Sequence, residues 1–518
     1  MPYTIKCPHC FKEFDDEHVH FRSERVSDPA EEILPIGYED IEKFKNKYEG
    51  EDKEQIIKRY ESHAFFLPQE DETYENVWKD LDKTEYVSEG SFKPWERKVI
   101  NPYDLEHKKY LIQQTDGTYF IRDQDGMVKQ IELSEDTANH KMSQKCHRRV
   151  CPFCHNPIPN NYGKYEVKFI SIIGVKGSGK TVYLSQLLSN LSYNYAPRIG
   201  LSADVTTPEI LNFIRKNQIK RDCELPKSTP AKMKQQPLYY QVTRPDPDRL
   251  GKVINETMVL YDVAGEVFDI SNDEAHASLG AYASYVINSD AYMLLIKPEQ
   301  LTEGEDGAAD TALTAIHGLL EIKDGEKCEK PLAVCVSQAD SQQMINLLNN
   351  GELINRISSD VTVANGKFNA TDYNYIGKNL TNFFRSPVTH YFDNIVKSKY
   401  KDYAYFAFSA LGCNVEQKDN VDYPASDPLP KRIEEPLYWL FYKLGYIKSN
   451  EPVYGDIKCP QCDKIDIEDI TGSTKTEQVE ERTWYGKIRM KTIQVPVNYK
   501  CTNCGHQWYY QMEEAYDE

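Results

Sequence analysis

The stretch that decides the fold runs Val167-Lys-Phe-Ile-Ser-Ile-Ile173, Gly174-Val-Lys-Gly177-Ser178-Gly179-Lys180-Thr181, then Val-Tyr-Leu184-Ser-Gln-Leu187-Leu188. The first run is apolar and short, which predicts a buried strand. The second fits G-x-x-x-x-G-K-[ST] at every fixed position. The third opens a helix over Thr181–Leu191, with Leu184, Leu187, Leu188 and Leu191 on one face. Strand before and helix after separate this loop from a chance glycine turn. Gly174, Gly177 and Gly179 let backbone N–H groups, with Ser178 between them, turn inward around a phosphate, and the helix N-terminus adds its partial positive charge. Lys180 is placed to reach the β- and γ-phosphates, and the Thr181 hydroxyl to ligate Mg²⁺.

Outward from this loop, apolar strand-like runs recur at Leu238–Thr243, Met258–Tyr261, Ala291–Ile296, Pro331–Val336 and Ala404–Phe408, with helical periodicity between and after them, as in Ile433–Leu444. This alternation predicts an α/β domain over residues 164–449, a mostly parallel sheet with helices on both faces. Directly after the third run comes Asp262-Val-Ala-Gly265. A carboxylate there can hold a Mg²⁺-bound water, and the Gly265 N–H can meet a γ-phosphate.

The order of these motifs resembles the Ras-like P-loop GTPases, whose first motif is matched by Gly174–Thr181 and whose third by Asp262–Gly265. The fourth stands altered as Ser337-Gln338-Ala339-Asp340, and the fifth as Ser409-Ala410-Leu411. A carboxylate at Asp340 can accept two parallel hydrogen bonds from the guanine ring N–H and its amino group, a donor pair that adenine lacks. Its alternative role is to cap the following Ser341–Leu348 helix. The resemblance implies GTP with Mg²⁺ as ligand and Ser409 and Ala410 beside the base. It also implies a switch threonine before the second strand, for which Thr229 is the candidate and Ser228, Thr206 and Thr207 compete. Glu266 occupies the position where the family often carries a water-orienting Gln, and its charge would repel the γ-phosphate, so slow hydrolysis is expected.

Eight of the 13 cysteines form four Cys-x-x-Cys pairs: Cys7/Cys10, Cys151/Cys154, Cys459/Cys462 and Cys501/Cys504. Two such pairs complete a closed tetrahedral Zn²⁺ site, so four predict two zinc ions. The last two pairs lie about 38 residues apart across the β-rich Gln478–Val497, which reads as a zinc ribbon over residues 455–512. The first two are near copies, Cys-Pro-His-Cys and Cys-Pro-Phe-Cys, separated by about 140 residues. They read as one ribbon, residues 1–20 with 146–160, split by an α+β insertion over 21–145. The alternatives are knuckles without metal, or one completed by Cys146 or His147. Within the insertion, Ile41–Tyr60 has helical Lys/Glu alternation, and Asp116-Gly117 sits between alternating apolar residues as in a hairpin.

At 518 residues the chain is long enough for about three domains. A net charge of −19 argues against a surface that attracts phosphate backbones throughout. About half of that charge falls on residues 1–160, consistent with a solvated acidic face or a partner surface on the insertion. No stretch approaches the roughly 18 to 20 apolar residues of a membrane span, and no secretory signal opens the chain, so a cytoplasmic location with reduced thiols is expected.

The whole arrangement resembles bacterial zinc-ribbon-bearing GTPases of the translation-factor-related class, associated with conflict or stress-response operons. The resemblance implies a GTP-dependent switch acting on a protein partner, with the ribbons as docking modules. Two other readings stay open. One is nucleic-acid binding through the C-terminal ribbon, where Lys475, Arg482, Lys487, Arg489, Lys491 and Lys500 interleave with Trp484, Tyr485, Tyr499 and Trp508. The other is a nucleotide-binding scaffold with little hydrolysis.

Overall fold

The computed structural model describes residues 3–22, 71–77, 99–100, 112–113, 119–122, 128–129, 148–159, 161–221, 223–226, 236–246, 249, 251–264, 283–301, 308–323, 325–419, 421–462, 467–482 and 488–509. The Ile41–Tyr60 segment lies outside them. So do Asp116 and Gly117, although the strands on either side of that turn do pair, Ile112 with Phe120 and Gln113 with Tyr119. No helix among the described residues is long and apolar enough to cross a membrane.

Seven strands form the central sheet: β1 (Glu166–Gly174), β2 (Ser202–Val205), β3 (Leu238–Pro245), β4 (Val253–Ala264), β5 (Ala291–Ile296), β6 (Leu332–Val336) and β7 (Tyr403–Ala407). Their order is β2-β3-β4-β1-β5-β6-β7. The β5, β6 and β7 strands are parallel, with Tyr292 opposite Leu332 and Leu332 opposite Tyr403. β2, β3 and β4 form antiparallel ladders. Every residue of β5 and β6 is buried, which is why both read as unbroken apolar runs.

The chain packs as two compact units, Met1–Ile173 with Ser202–Gln218 and Lys227–Asp290, and Gly174–Leu201 with Ile219–Pro226 and Ala291–Glu518. In the first unit, β4 is 12 residues long, far beyond the expected Met258–Tyr261. Its polar half, Asn255-Glu256-Thr257, conceals the strand in the sequence. Glu256 is buried there because Arg244 on β3 meets it with two N–H···O bonds, both 3.1 Å, and a fork of this kind offsets part of the cost of burying charge.

In the second unit, helix α1 (Lys180–Asn190) follows the glycine loop and buries Tyr183, Leu184, Leu187 and Leu188. A π-turn at Leu191–Tyr195 carries it into Ala196–Arg198, where the Tyr195 carbonyl accepts a 2.7 Å bond from the Tyr438 hydroxyl. Further along are α2 (Gln342–Leu348), α3 (Ala370–Phe384) and α4 (Glu435–Lys443). Fully buried Arg432 precedes α4, and its guanidinium binds Asp372 on α3 at 2.7 Å and both carboxylate oxygens of Glu435. Burial pulls the Arg432 pKa down, but the two carboxylates more than offset this and hold it above the ordinary arginine value. The unit ends in two long antiparallel strands, β8 (Ile467–Arg482) and β9 (Ile488–Cys501), with a short third strand β10 (Gln507–Trp508).

Candidate functional site

The glycine loop is built around one side chain. A Cβ placed on Gly174 would stand 2.6 Å from the Lys180 Cβ and 2.7 Å from its Cδ, so the lysine stem folds back across this glycine and only hydrogen fits. Gly177 and Gly179 have φ of +75° and +72°, left-handed values that an L side chain rarely adopts. The loop is anchored by Val175 N–H donating to the Leu295 carbonyl at 3.1 Å and Ser178 N–H to the Val175 carbonyl at 3.0 Å. No side chain caps the start of α1, which leaves its first-turn N–H groups facing the loop. The buried Ser178 Oγ has no hydrogen-bond partner among the described residues. An orphaned hydroxyl costs about 1–3 kcal/mol, and an anion or bound water in the cradle would satisfy it. The donors therefore fit a nucleotide's phosphates.

The altered fourth motif touches this loop through a residue whose role the sequence did not reveal. Gln338 has a left-handed φ of +54°, and its Nε2 donates to the Gly177 carbonyl at 3.4 Å. The stem of Lys297, just after β5, lies beside the same glycine, with its Cδ 3.7 Å from the position a Gly177 Cβ would take. Lys297 belongs to no motif, and only its place at a strand end next to the loop marks it. Asp340 is exposed. It does not cap the next helix, because Ser341 does so by accepting the Met344 N–H at 3.2 Å.

The fifth motif is pinned from behind. Ser409 exchanges backbone bonds of 3.0 and 2.8 Å with Lys431, its Oγ accepts the Gly412 N–H at 3.1 Å, and Leu429 N–H donates to the Leu411 carbonyl at 2.7 Å. A Cβ on Gly412 would lie 1.9 Å from the Leu429 carbonyl oxygen, so no side chain is tolerated there. Ala410 sits inside this clamped loop. In the first unit, Asp262 is buried near the end of β4. Thr229, Ser228, Gly265 and Glu266 lie outside the described residues. Thr206, one of the competing threonines, donates its hydroxyl to the Tyr239 carbonyl at 3.3 Å, and Thr207 opens the helix Pro208–Lys216.

Both cysteine clusters assemble. Cys7, Cys10, Cys151 and Cys154 bring their sulfurs within 4.8 Å of one another, as do Cys459, Cys462, Cys501 and Cys504. The closest cross-pairs are Cys7 with Cys154 at 3.6 Å, Cys10 with Cys151 at 3.7 Å, Cys459 with Cys504 at 3.6 Å and Cys462 with Cys501 at 3.5 Å. Tetrahedral thiolates about 2.3 Å from Zn²⁺ stand about 3.8 Å apart, so these spacings fit a four-sulfur zinc site and are far too long for disulfides. Backbone N–H groups of His9 and Phe153 point at Cys7 and Cys151 sulfurs, both at 3.4 Å, as expected of knuckles that stabilise thiolates. Hydrogen bonds from the neighbouring thiols hold the Cys10 pKa well below the ordinary thiol value.

The N-terminal cluster is built into the first unit. Tyr261 donates its hydroxyl to the Pro8 carbonyl at 2.8 Å, Tyr239 and the His9 Nε2 lie 3.0 Å apart, and Tyr162 donates to the Lys6 carbonyl at 2.8 Å. Phe11, held at φ +58°, meets Phe169, Tyr261 and Tyr285 edge-on at 5.8, 6.0 and 5.9 Å. Burial pushes the Tyr261 phenol well above its usual pKa, so it stays a donor.

Residues 168–378, less than half of the chain, match the model of the Double-GTPase 2 family. No curated protein matches the chain. Among solved structures, the Arl6 (BBS3) small GTPase from Trypanosoma brucei with a bound nucleotide analogue aligns at 11% identity, over 54% of this chain and 99% of that one, with a TM-score of 0.23. Era from Aquifex aeolicus bound to GDP and AlF4⁻ aligns at 10% identity, over 64% and 80%, with a TM-score of 0.24. Sup35 complexed with GDP aligns at 12% identity with a TM-score of 0.20, over 48% of this chain and only 38% of its own. The chain carries a P-loop GTPase domain.

Proposed function

We propose that the protein is a slow GTPase switch whose nucleotide state controls a protein partner, with two structural zinc ions holding its ribbons. The observation that carries the reading is the cradle of Gly174, Gly177, Gly179 and Lys180, within a region that matches a GTPase family model. Lys180 neutralises the β- and γ-phosphates, the N–H groups at the start of α1 hold the phosphate oxygens, and the Thr181 hydroxyl ligates Mg²⁺. Mg²⁺, when bound, would supply charge neutralisation to the phosphates. Asp262 would stand in the coordination sphere of Mg²⁺, and Glu266 and Thr229 would take the switch roles. Asp340 selects guanine by accepting its two adjacent donors, while Ser409 and Ala410 flank the base.

Gln338 in place of the family lysine favours modest affinity, because its amide makes one bond to the loop and covers less of the base than a longer stem. The ribbons serve as docking modules, stapled by metal because units of this size have small cores.

The test is nucleotide binding by the purified chain and by two variants. Lys180→Ala should lose binding at least tenfold. Asp340→Asn exchanges an acceptor for a donor, so it should weaken GTP at least tenfold and favour xanthosine triphosphate, which presents a carbonyl there. Equal affinity of the wild type for ATP and GTP would remove the guanine assignment. Glu266→Gln should alter single-turnover hydrolysis more than affinity, and an unchanged rate would take Glu266 out of the mechanism.

A further inference from the structure

We infer that the N-terminal zinc knuckle is a positioning element of the GTPase reaction, setting the end of β4 that carries Asp262. The inference rests on the proposed role of Asp262 beside Mg²⁺. The antiparallel ladder between β3 and β4 ends at Leu238 opposite Leu260. Tyr261, the next residue of β4, also reaches the knuckle: its hydroxyl is bonded to the Pro8 carbonyl, between the ligands Cys7 and Cys10. Its ring stacks on Tyr285 at 4.2 Å and 11°, and on Phe169 at 5.9 Å and 14°. The neighbouring strand is tied to the same turn, since Tyr239 is opposite Val259 and its hydroxyl meets His9. Tyr261, Tyr239 and His9 are all buried.

A metal-closed turn therefore sets the backbone that presents Asp262, through a residue directly preceding it. Zinc fixes Pro8 and His9 because both lie between two of its ligands. Loss of zinc frees those two anchors, to which Tyr261 and Tyr239 are hydrogen-bonded. Linkage requires the converse: if zinc favours the Mg²⁺-binding geometry at Asp262, then Mg²⁺ and nucleotide must tighten zinc by the same factor.

The experiment uses the full-length zinc-loaded chain, a chromogenic chelator that reports zinc release, and a non-hydrolysable GTP analogue with or without Mg²⁺, its binding measured separately by fluorescence. With Mg²⁺ and analogue, one of the two zinc equivalents should leave at least about fivefold more slowly, and the other at an unchanged rate. In Tyr239→Phe/Tyr261→Phe, which keeps both rings and loses only the two hydroxyls, this protection should fall below about twofold, while Mg²⁺-free analogue affinity stays at the wild-type value. In Cys504→Ser the protected equivalent should be the one that remains. Analogue binding with zinc release unchanged would overturn this inference and leave the nucleotide reading standing. Absence of analogue binding would overturn both. Full protection persisting in the double variant would show that the hydroxyl contacts do not carry the coupling.

Discussion

The two cysteine clusters have the same ligand chemistry and nearly the same sulfur spacing, yet their surroundings differ. Cys7, Cys151 and Cys154 are buried, and the knuckle between Cys7 and Cys10 bonds to two strands of the central sheet. In the C-terminal cluster Cys504 is exposed, and the surrounding core is small, with Trp508, Ile457, Ile467 and Tyr499 around Cys459 and Cys501. From it, β8 and β9 run on as a two-stranded ladder to Arg482 opposite Ile488, with Ser473, Thr474, Thr476, Gln478, Met490, Thr492, Gln494 and Pro496 exposed along the way. Two strands with exposed faces are marginal alone in water, so this ribbon depends on its metal for its own order. The same four-sulfur chemistry thus serves as part of a sheet's packing at one end of the chain and as a local staple at the other.

The largest effect that would sharpen this contrast comes from removing one ligand at each site. Cys151→Ser should lower the zinc content to one equivalent and destabilise the first unit by about 3 kcal/mol or more, because a buried site loses its metal and leaves unpaired thiols. It should also reduce nucleotide affinity. Cys501→Ser should lower zinc by the same amount and leave nucleotide affinity unchanged. Denaturant melts and metal analysis of the two variants side by side check this, and equal losses of nucleotide binding would break the contrast.

Phe11→Ala comes next. It removes a ring that meets Phe169, Tyr261 and Tyr285, and should cost about 2–3 kcal/mol, less than a fully enclosed phenylalanine since Phe11 is half-buried. Tyr261→Phe alone should cost about 1 kcal/mol, because it leaves the Pro8 carbonyl without its donor. The smallest expected change is Glu477→Gln on the C-terminal ribbon. Its 2.6 Å pair with Lys475 is partly exposed, and the melting transition should move by less than about 1 kcal/mol. A larger shift there would mean that the ribbon is packed against something in solution.

The nucleotide loop was legible in the sequence because its chemistry is contiguous: Gly174 to Thr181 are eight successive residues, and the strand and helix around them carry their own periodicity. The pairing of Cys7/Cys10 with Cys151/Cys154 was also legible, since the knuckles are near copies. Contacts made across long sequence separations were not. Nothing local to Pro8 or His9 announces Tyr261 or Tyr239, some 230 to 253 residues away. A signal did exist, because tyrosines in strands that are otherwise apolar need partners for their hydroxyls. The polar first half of β4 hid its length until Arg244 was seen to satisfy Glu256. Strand β2, Ser202–Val205, was missed because its polar/apolar alternation spans only four residues, too few to stand out as a strand. Gln338 read only as part of an altered motif, and the folded structure shows its side-chain amide bonded to the glycine loop.

Metal and nucleotide analysis of the native purified chain tests the central claim most directly. Two zinc ions per chain together with bound guanine nucleotide, lost on Lys180→Ala while both zincs remain, is the predicted result. A chain that purifies without zinc and takes up no guanine nucleotide in the presence of Mg²⁺ would contradict it.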